Sequence, residues 1–149
     1  MGMSLLRVEL WTDGACRGNP GPGGWAAILM APAGDTRELS GAEEGSTNNR
    51  MEMRAIISGL QALKRRCEVH IHTDSSYVLN AFQENWVAGW QKRGWKTSAR
   101  KPVANKDLWL ELIEQVARHQ ITWIKVKGHS GVALNERADV LAVEASHSI

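Results

Sequence analysis

Two stretches of the chain end alike: Arg7-Val8-Glu9-Leu10-Trp11-Thr12-Asp13 and Glu68-Val69-His70-Ile71-His72-Thr73-Asp74. In each, the aliphatic residues share parity with the threonine (Val8, Leu10, Thr12; Val69, Ile71, Thr73), the pattern of a strand buried on one face, so Asp13 and Asp74 project from the other. If these strands are parallel neighbours, about 4.8 Å apart, their carboxylates sit side by side and repel strongly unless a proton or a cation comes between them. Taken singly, Asp13 before Gly14 reads as a turn former and Asp74 before Ser75-Ser76 as a helix cap.

Glu52 and Asp139 extend the set. Glu52 stands at helical spacing with Ile56, Gly59 and Leu63, which turns a first-turn carboxylate toward a sheet-facing stripe, and Gly59 implies a close approach of that helix. A buried carboxylate needs a partner; stabilisation by the helix dipole is the plain alternative. Asp139, beside Ala138, reads by itself as a surface charge on the last helix. Together, Asp13, Glu52, Asp74 and Asp139 offer all-oxygen ligation with no His/Cys cluster in competition, a donor set suited to Mg²⁺ with Mn²⁺ as substitute. Two such ions about 4 Å apart can stabilise the attacking and leaving oxygens of an in-line phosphodiester displacement.

The elements that must hold these residues can be read in order. Residues 6–10 alternate as a strand, "GNPGPGG" at 18–24 reads as a tight connection, and 25–32 and 35–42 read as two further strands around Ala33-Gly34, an antiparallel meander. The next hundred residues alternate helix and strand. Met53, Ile56, Ile57, Leu60 and Leu63 form an apolar stripe behind the cap-like "STNN" at 46–49. The strand 68–73 precedes a short helix from Ser75. A helix from about Asn105 carries Trp109, Leu112, Ile113 and Val116; 121–128 reads as the last strand; Leu134, Ala138, Leu141, Ala142 and Ala145 mark a final helix. Strands followed by alternating helix and strand predict one α/β domain over 1–149, a mixed sheet flanked by helices.

The 149 residues suffice for one core, and 43% hydrophobic with 23% charged residues is ordinary globular usage. No apolar run reaches the ~18 residues of a membrane span and no signal-peptide layout is present, so a cytoplasmic protein is expected. Cys16 and Cys67 lack metal-ligand spacing and read as free thiols. Six of the 18 basic residues (Lys92, Arg93, Lys96, Arg100, Lys101, Lys106) lie between 92 and 106, a span without Asp or Glu, leaving 12 basic against 16 acidic residues elsewhere. A basic lobe on an acidic body predicts a polyanionic partner held at one place.

The motifs "TDGACRGNPGPGGWAAIL", "TNNRMEMRAII", "TDSSYV", "WQKRGWKT", "NKDLW", "VKGHSG" and "NERADVLA" resemble, in order and over about residues 5–145, those of bacterial type-1 ribonuclease H, which cleaves the RNA strand of RNA–DNA hybrids. The resemblance implies a five-stranded mixed sheet, three antiparallel strands then two parallel, flanked by helices. It implies that Asp13, Glu52, Asp74 and Asp139 bind two Mg²⁺ ions, with Asp13 bridging, and that His129 assists proton movement or product release. His70, His72, His119 and His147 match no functional position. Asn19, Asn48 and Asn49 match residues reaching the minor groove, where 2′-hydroxyls on one strand alone mark a hybrid; turn and capping roles are their generic alternatives. Thr47 and Asn105 match a pocket for a DNA phosphate. Lys92, Arg93 and Lys96, with Trp86, Trp90 and Trp95 interleaved, resemble a basic protrusion that holds the DNA backbone; local packing is the plainer role for the tryptophans.

Two departures bear on substrate binding. Ser76 stands where the family often has Gln, which shortens or removes a groove contact, and Gly45 stands where the phosphate pocket often has Arg. The resemblance implies a monomeric, metal-dependent endoribonuclease acting on RNA–DNA hybrids without sequence preference, leaving 5′-phosphate and 3′-hydroxyl ends. A non-cleaving hybrid-binding module and an integrase-like DNA-strand nuclease are the rival readings. Four clustered carboxylates count against the first, and the asparagines and basic lobe against the second.

Overall fold

The computed structural model describes residues 5–127 and 132–149. Its elements, in chain order, are β1 (Arg7–Cys16), β2 (Gly21–Met30), β3 (Thr36–Ser46), α1 (Asn48–Gln61), β4 (Glu68–Thr73), α2 (Ser76–Gln83), α3 (Trp86–Lys92), α4 (Lys106–Ala117), β5 (Gln120–Lys125) and α5 (Ala133–Ser146). The strands form one sheet in the order β3-β2-β1-β4-β5. β1 and β3 pair with β2 antiparallel, whereas β4 runs parallel to both β1 and β5. The mixed sheet, and the parallel pairing of the two echoing strands, are as the sequence predicts.

Side-chain parity divides the sheet into two faces. Val8, Leu10, Val69 and Ile71 are buried in the larger core with Met53, Ile56, Ile57 and Leu60 of α1 and Leu108, Trp109 and Leu112 of α4. On the opposite face, Ala26 and Ile28 of β2 meet Ala138 and Ala142 of α5. A Cβ at Gly59 would lie 2.6 Å from Leu10 Cδ1. The close approach of α1 inferred from that glycine is therefore present.

β2 begins at Gly21, so three of the four glycines taken for a connection, Gly21, Gly23 and Gly24, lie within a strand, and only residues 17–20 form the turn. The reason is steric. A side chain on Gly24 would strike the α5 backbone at Ala142 and Ser146, and one on Gly23 would lie 2.7 Å from Met51 Cγ. Bare backbone at these positions lets helices approach both faces of the sheet. β3 runs on to Ser46, beyond the expected end at 42, and β5 stops at Lys125. α3, which no periodicity announced, follows Asn85 in the left-handed conformation (φ 58°).

Beyond α5, the face shared by β1 and β4 carries a polar ladder. His72 Nε2 lies 2.8 Å from Glu9 Oε1, and Trp11 stacks on the His72 ring at 3.8 Å between centroids. His119 has a structural role, its Nδ1 accepting the Cys67 N–H at 3.1 Å. Cys16 and Cys67 are both free. Among the described residues, no helix is long and apolar enough to cross a membrane.

Candidate active site

The site forms where β1 and β4 part. Their register runs from Arg7 opposite Glu68 to Trp11 opposite His72, and carried two residues further it sets Asp13 beside Asp74. β1 continues to Cys16 along β2, but β4 ends at Thr73 and turns into α2. Thr73 Oγ1 accepts the Ser75 N–H at 3.1 Å, and Ser75 Oγ accepts the Val78 N–H at 3.2 Å. Ser75 therefore caps α2, which frees Asp74 from the capping role considered for it.

Glu52 reaches the same point from α1. Because that helix starts at Asn48, Glu52 lies beyond its first turn, and the helix dipole does little for it. A Cβ on Gly14 would stand 2.6 Å from the Glu52 nitrogen, so the missing side chain there is what admits the helix. One carboxylate oxygen each from Asp13, Glu52 and Asp74 can be chosen so that all lie within 4.8 Å of one another. Asp139, from α5, touches the Asp13 carboxyl and lines the same cleft with Asn135, Glu136 and Gly14.

Burial, then contact with Asp139 and the charge of Asp74, pushes the Asp13 carboxyl up to about 7. Burial, followed by the charges of Asp13 and Asp74, holds Glu52 well above the ordinary carboxylate range. Glu52 is only 9% exposed, yet its Oε2 has no hydrogen-bond partner among the described residues. An orphaned, buried carboxylate oxygen among other carboxylates is a costly arrangement in the absence of a proton or cation. The donor set, all oxygen and open to the cleft, fits a hard divalent cation.

The RNase H family model matches residues 6–147. The chain belongs to the ribonuclease H family. It is 57% identical over 137 residues to the ribonuclease H of Thermoanaerobacter sp. (strain X514), spanning 92% of this chain and 88% of that one. Against the ribonuclease H of Erythrobacter litoralis (strain HTCC2594), identity is 56% over 142 residues, spanning 95% and 97% of the two chains. Among solved structures, LC9-RNase H1, described as a type 1 RNase H with the type 2 active-site motif, superposes with a TM-score of 0.86 at 32% identity, over 99% of this chain and 75% of that one. LC11-RNase H1, solved in complex with an RNA/DNA hybrid, shares the fold with a TM-score of 0.67 at 22% identity, over 94% and 96% of the two chains.

The other residues singled out from the ribonuclease H motifs are spread around this cleft and the basic lobe. Thr47 caps α1, its Oγ1 accepting the Arg50 N–H at 3.2 Å, and Asn48 and Asn49 are exposed in the first turn that follows. Asn19 is exposed in the turn between β1 and β2. Asn105 precedes α4 without capping it. Its side chain instead accepts from Arg50 Nη1 at 3.3 Å and donates to the Tyr77 hydroxyl at 3.2 Å.

Lys92, Arg93 and Lys96 are exposed on the lobe, where Arg93 Nε donates to the Lys96 carbonyl at 3.0 Å. Trp86 is 41% exposed, whereas Trp90 and Trp95 pack inward against the core, Trp90 lying 5.2 Å from the buried Trp109 between ring centroids. His129 lies outside the described residues. Two residues of the cleft were missed from sequence, Asn135 and Glu136. The available signal was their spacing from Asp139, four and three residues along one helix face.

Proposed function

We propose that the chain is a divalent-metal-dependent endoribonuclease that hydrolyses the RNA strand of RNA–DNA hybrids without sequence preference, leaving 5′-phosphate and 3′-hydroxyl ends. The observation that carries the metal-dependent chemistry is the buried Glu52 Oε2, without a hydrogen-bond partner among the described residues, beside Asp13 and Asp74. Asp13, Glu52, Asp74 and Asp139 would hold the cations, Mg²⁺ with Mn²⁺ as substitute. When bound, two such ions supply an activated water and charge stabilisation at the leaving oxygen.

The chain's own residues do the rest. The four carboxylates are fixed by β1, α1, the β4–α2 junction and α5, so the phosphodiester meets a set of ligands already in place. Asn19, Asn48 and Asn49 offer exposed amides to the minor groove, and Thr47 and Asn105 frame a phosphate pocket beside α1. Lys92, Arg93, Lys96, Trp86 and Trp95 belong to the protrusion that would hold the DNA strand, and His129 would serve proton movement or product release. Support for the substrate comes from the family and from LC11-RNase H1, whose structure contains an RNA/DNA hybrid. We place the protein in the cytoplasm as a monomer, with residues 1–149 forming a single domain.

The test is cleavage of a 5′-labelled RNA strand annealed to DNA or to RNA, with Mg²⁺ or with EDTA. Scission only of the hybrid, and only with metal, is expected. Asp74→Asn should lower turnover by about a hundredfold or more, the scale on which single electrostatic groups act, with the circular dichroism spectrum unchanged. Unaltered activity in that variant would refute the carboxylate assignment.

A further inference from the structure

Lys125 is the last residue of β5 and pairs in register with Thr73, the residue before Asp74. Its strand mates of like parity, Ile121 and Trp123, pack on the larger core. Lys125 continues that row past the core and is exposed. Its Nζ donates to Ser76 Oγ at 3.1 Å. Ser76, the first residue of α2, is two residues beyond Asp74 and itself exposed. Lys125 takes part in no ion pair among the described residues. The result is an exposed ammonium, steadied by a neutral hydroxyl that stands two residues along the chain from Asp74.

We propose that Lys125, positioned by Ser76, binds a backbone phosphate of the RNA strand beside the scissile bond. The inference rests on the hybrid-cleaving reading and adds to it a substrate contact that the family resemblance does not supply. Ser76 stands where a glutamine amide was expected to read the groove. A serine hydroxyl is too short for that contact, and here it serves as an acceptor that aims a cation. On the reading that Asp74 holds a metal at the bond that is cut, a cation steadied two residues along the chain from it serves the RNA strand, opposite in role to the basic lobe. Recognition at this point becomes ionic and insensitive to the base, because a lysine ammonium is a point charge that takes phosphate without selecting an edge.

The experiment measures KM and kcat for hybrid cleavage, and Kd for the same hybrid by fluorescence anisotropy in EDTA, across a salt series. Each phosphate neutralised contributes about 0.9 to the slope of log affinity against log salt concentration. Lys125→Gln is expected to reduce that slope by about 0.9 and to raise KM about threefold to tenfold at ~0.1 M salt, leaving kcat within about twofold. Lys125→Arg, which keeps the charge, should restore the slope. Ser76→Ala should raise KM less and leave the slope intact, as befits a positioning residue.

An unchanged slope in Lys125→Gln overturns the proposal, whether KM is unchanged or has risen, since a rise alone would mark a structural role. Failure of the hybrid-cleaving reading is distinguishable, because it would show as wild-type protein that binds hybrid without cutting it under any metal, and the anisotropy slopes would still decide the role of Lys125. Wild-type protein that does not bind the hybrid would overturn both.

Discussion

Replacing Asp13 with Asn should destroy activity and stabilise the metal-free protein. The wild-type carboxyl is pushed from 3.8 up to about 7 by burial and by Asp139 and Asp74, so above neutral pH the fold holds a charge it would rather protonate. At 1.36 kcal/mol per pH unit, the gap between 3.8 and about 7 corresponds to a ceiling of roughly 4 kcal/mol. Asp13 retains some solvent contact and its neighbours can relax, so a gain of about 1–3 kcal/mol is expected, or roughly 3–10 °C in Tm for a domain of this size.

The sign with pH follows from the raised value. Folded wild-type protein binds the proton more tightly than unfolded chain, so its handicap is complete above about 7 and shrinks as pH falls toward 3.8. Thermal melts in EDTA at pH 8 and pH 5 should therefore show the advantage of Asp13→Asn at the higher pH and its narrowing at the lower. Saturating divalent cation should close the gap by stabilising only the wild-type protein. A variant less stable than wild type at pH 8, or a gain independent of pH, would refute the charge-repulsion account.

Two further substitutions probe the frame of the site. Gly24→Ala puts a methyl group into the α5 backbone at Ala142 and Ser146. It should cost about 3 kcal/mol or more and displace the helix that carries Asp139; urea denaturation measures the first effect and cation titration the second. Arg50→Ala removes paired contacts to Asp107, at 3.0 and 2.8 Å, and one to Asn105. With Asp107 largely exposed, stability should fall by about 1 kcal/mol at most, whereas KM for hybrid should rise as Asn105 loses its orientation; an unchanged KM would remove Asn105 from the binding surface.

Much of the carboxylate cluster was legible because its residues interrupt a regular pattern. Asp13 and Asp74 repeat a parity that the parallel register then turns into proximity. Glu52 shares a helix stripe with Gly59, whose missing side chain does admit Leu10. The glycines at 21–24 misled, because a glycine that makes room for a helix is indistinguishable in sequence from one that makes a turn. α3 was missed because its seven residues are too few to establish a period. Asn135 and Glu136 share a helix face with Asp139 in the sequence, but that this face lines a cleft depends on the placement of α5 against β1 and β2, through contacts far apart in the chain. The tryptophans divide in the same way: composition could not separate the exposed Trp86 from Trp90 and Trp95, which pack inward.

The seating of α5 on the sheet also orders events during synthesis. Asp13, Glu52 and Asp74 belong to β1, α1 and the end of β4, all made early, whereas Asp139 arrives on the last helix described. Until that helix settles over Ala26 and Ile28, the cleft lacks one wall and one carboxylate. The fourth carboxylate therefore joins the other three only through the docking of α5 against the sheet.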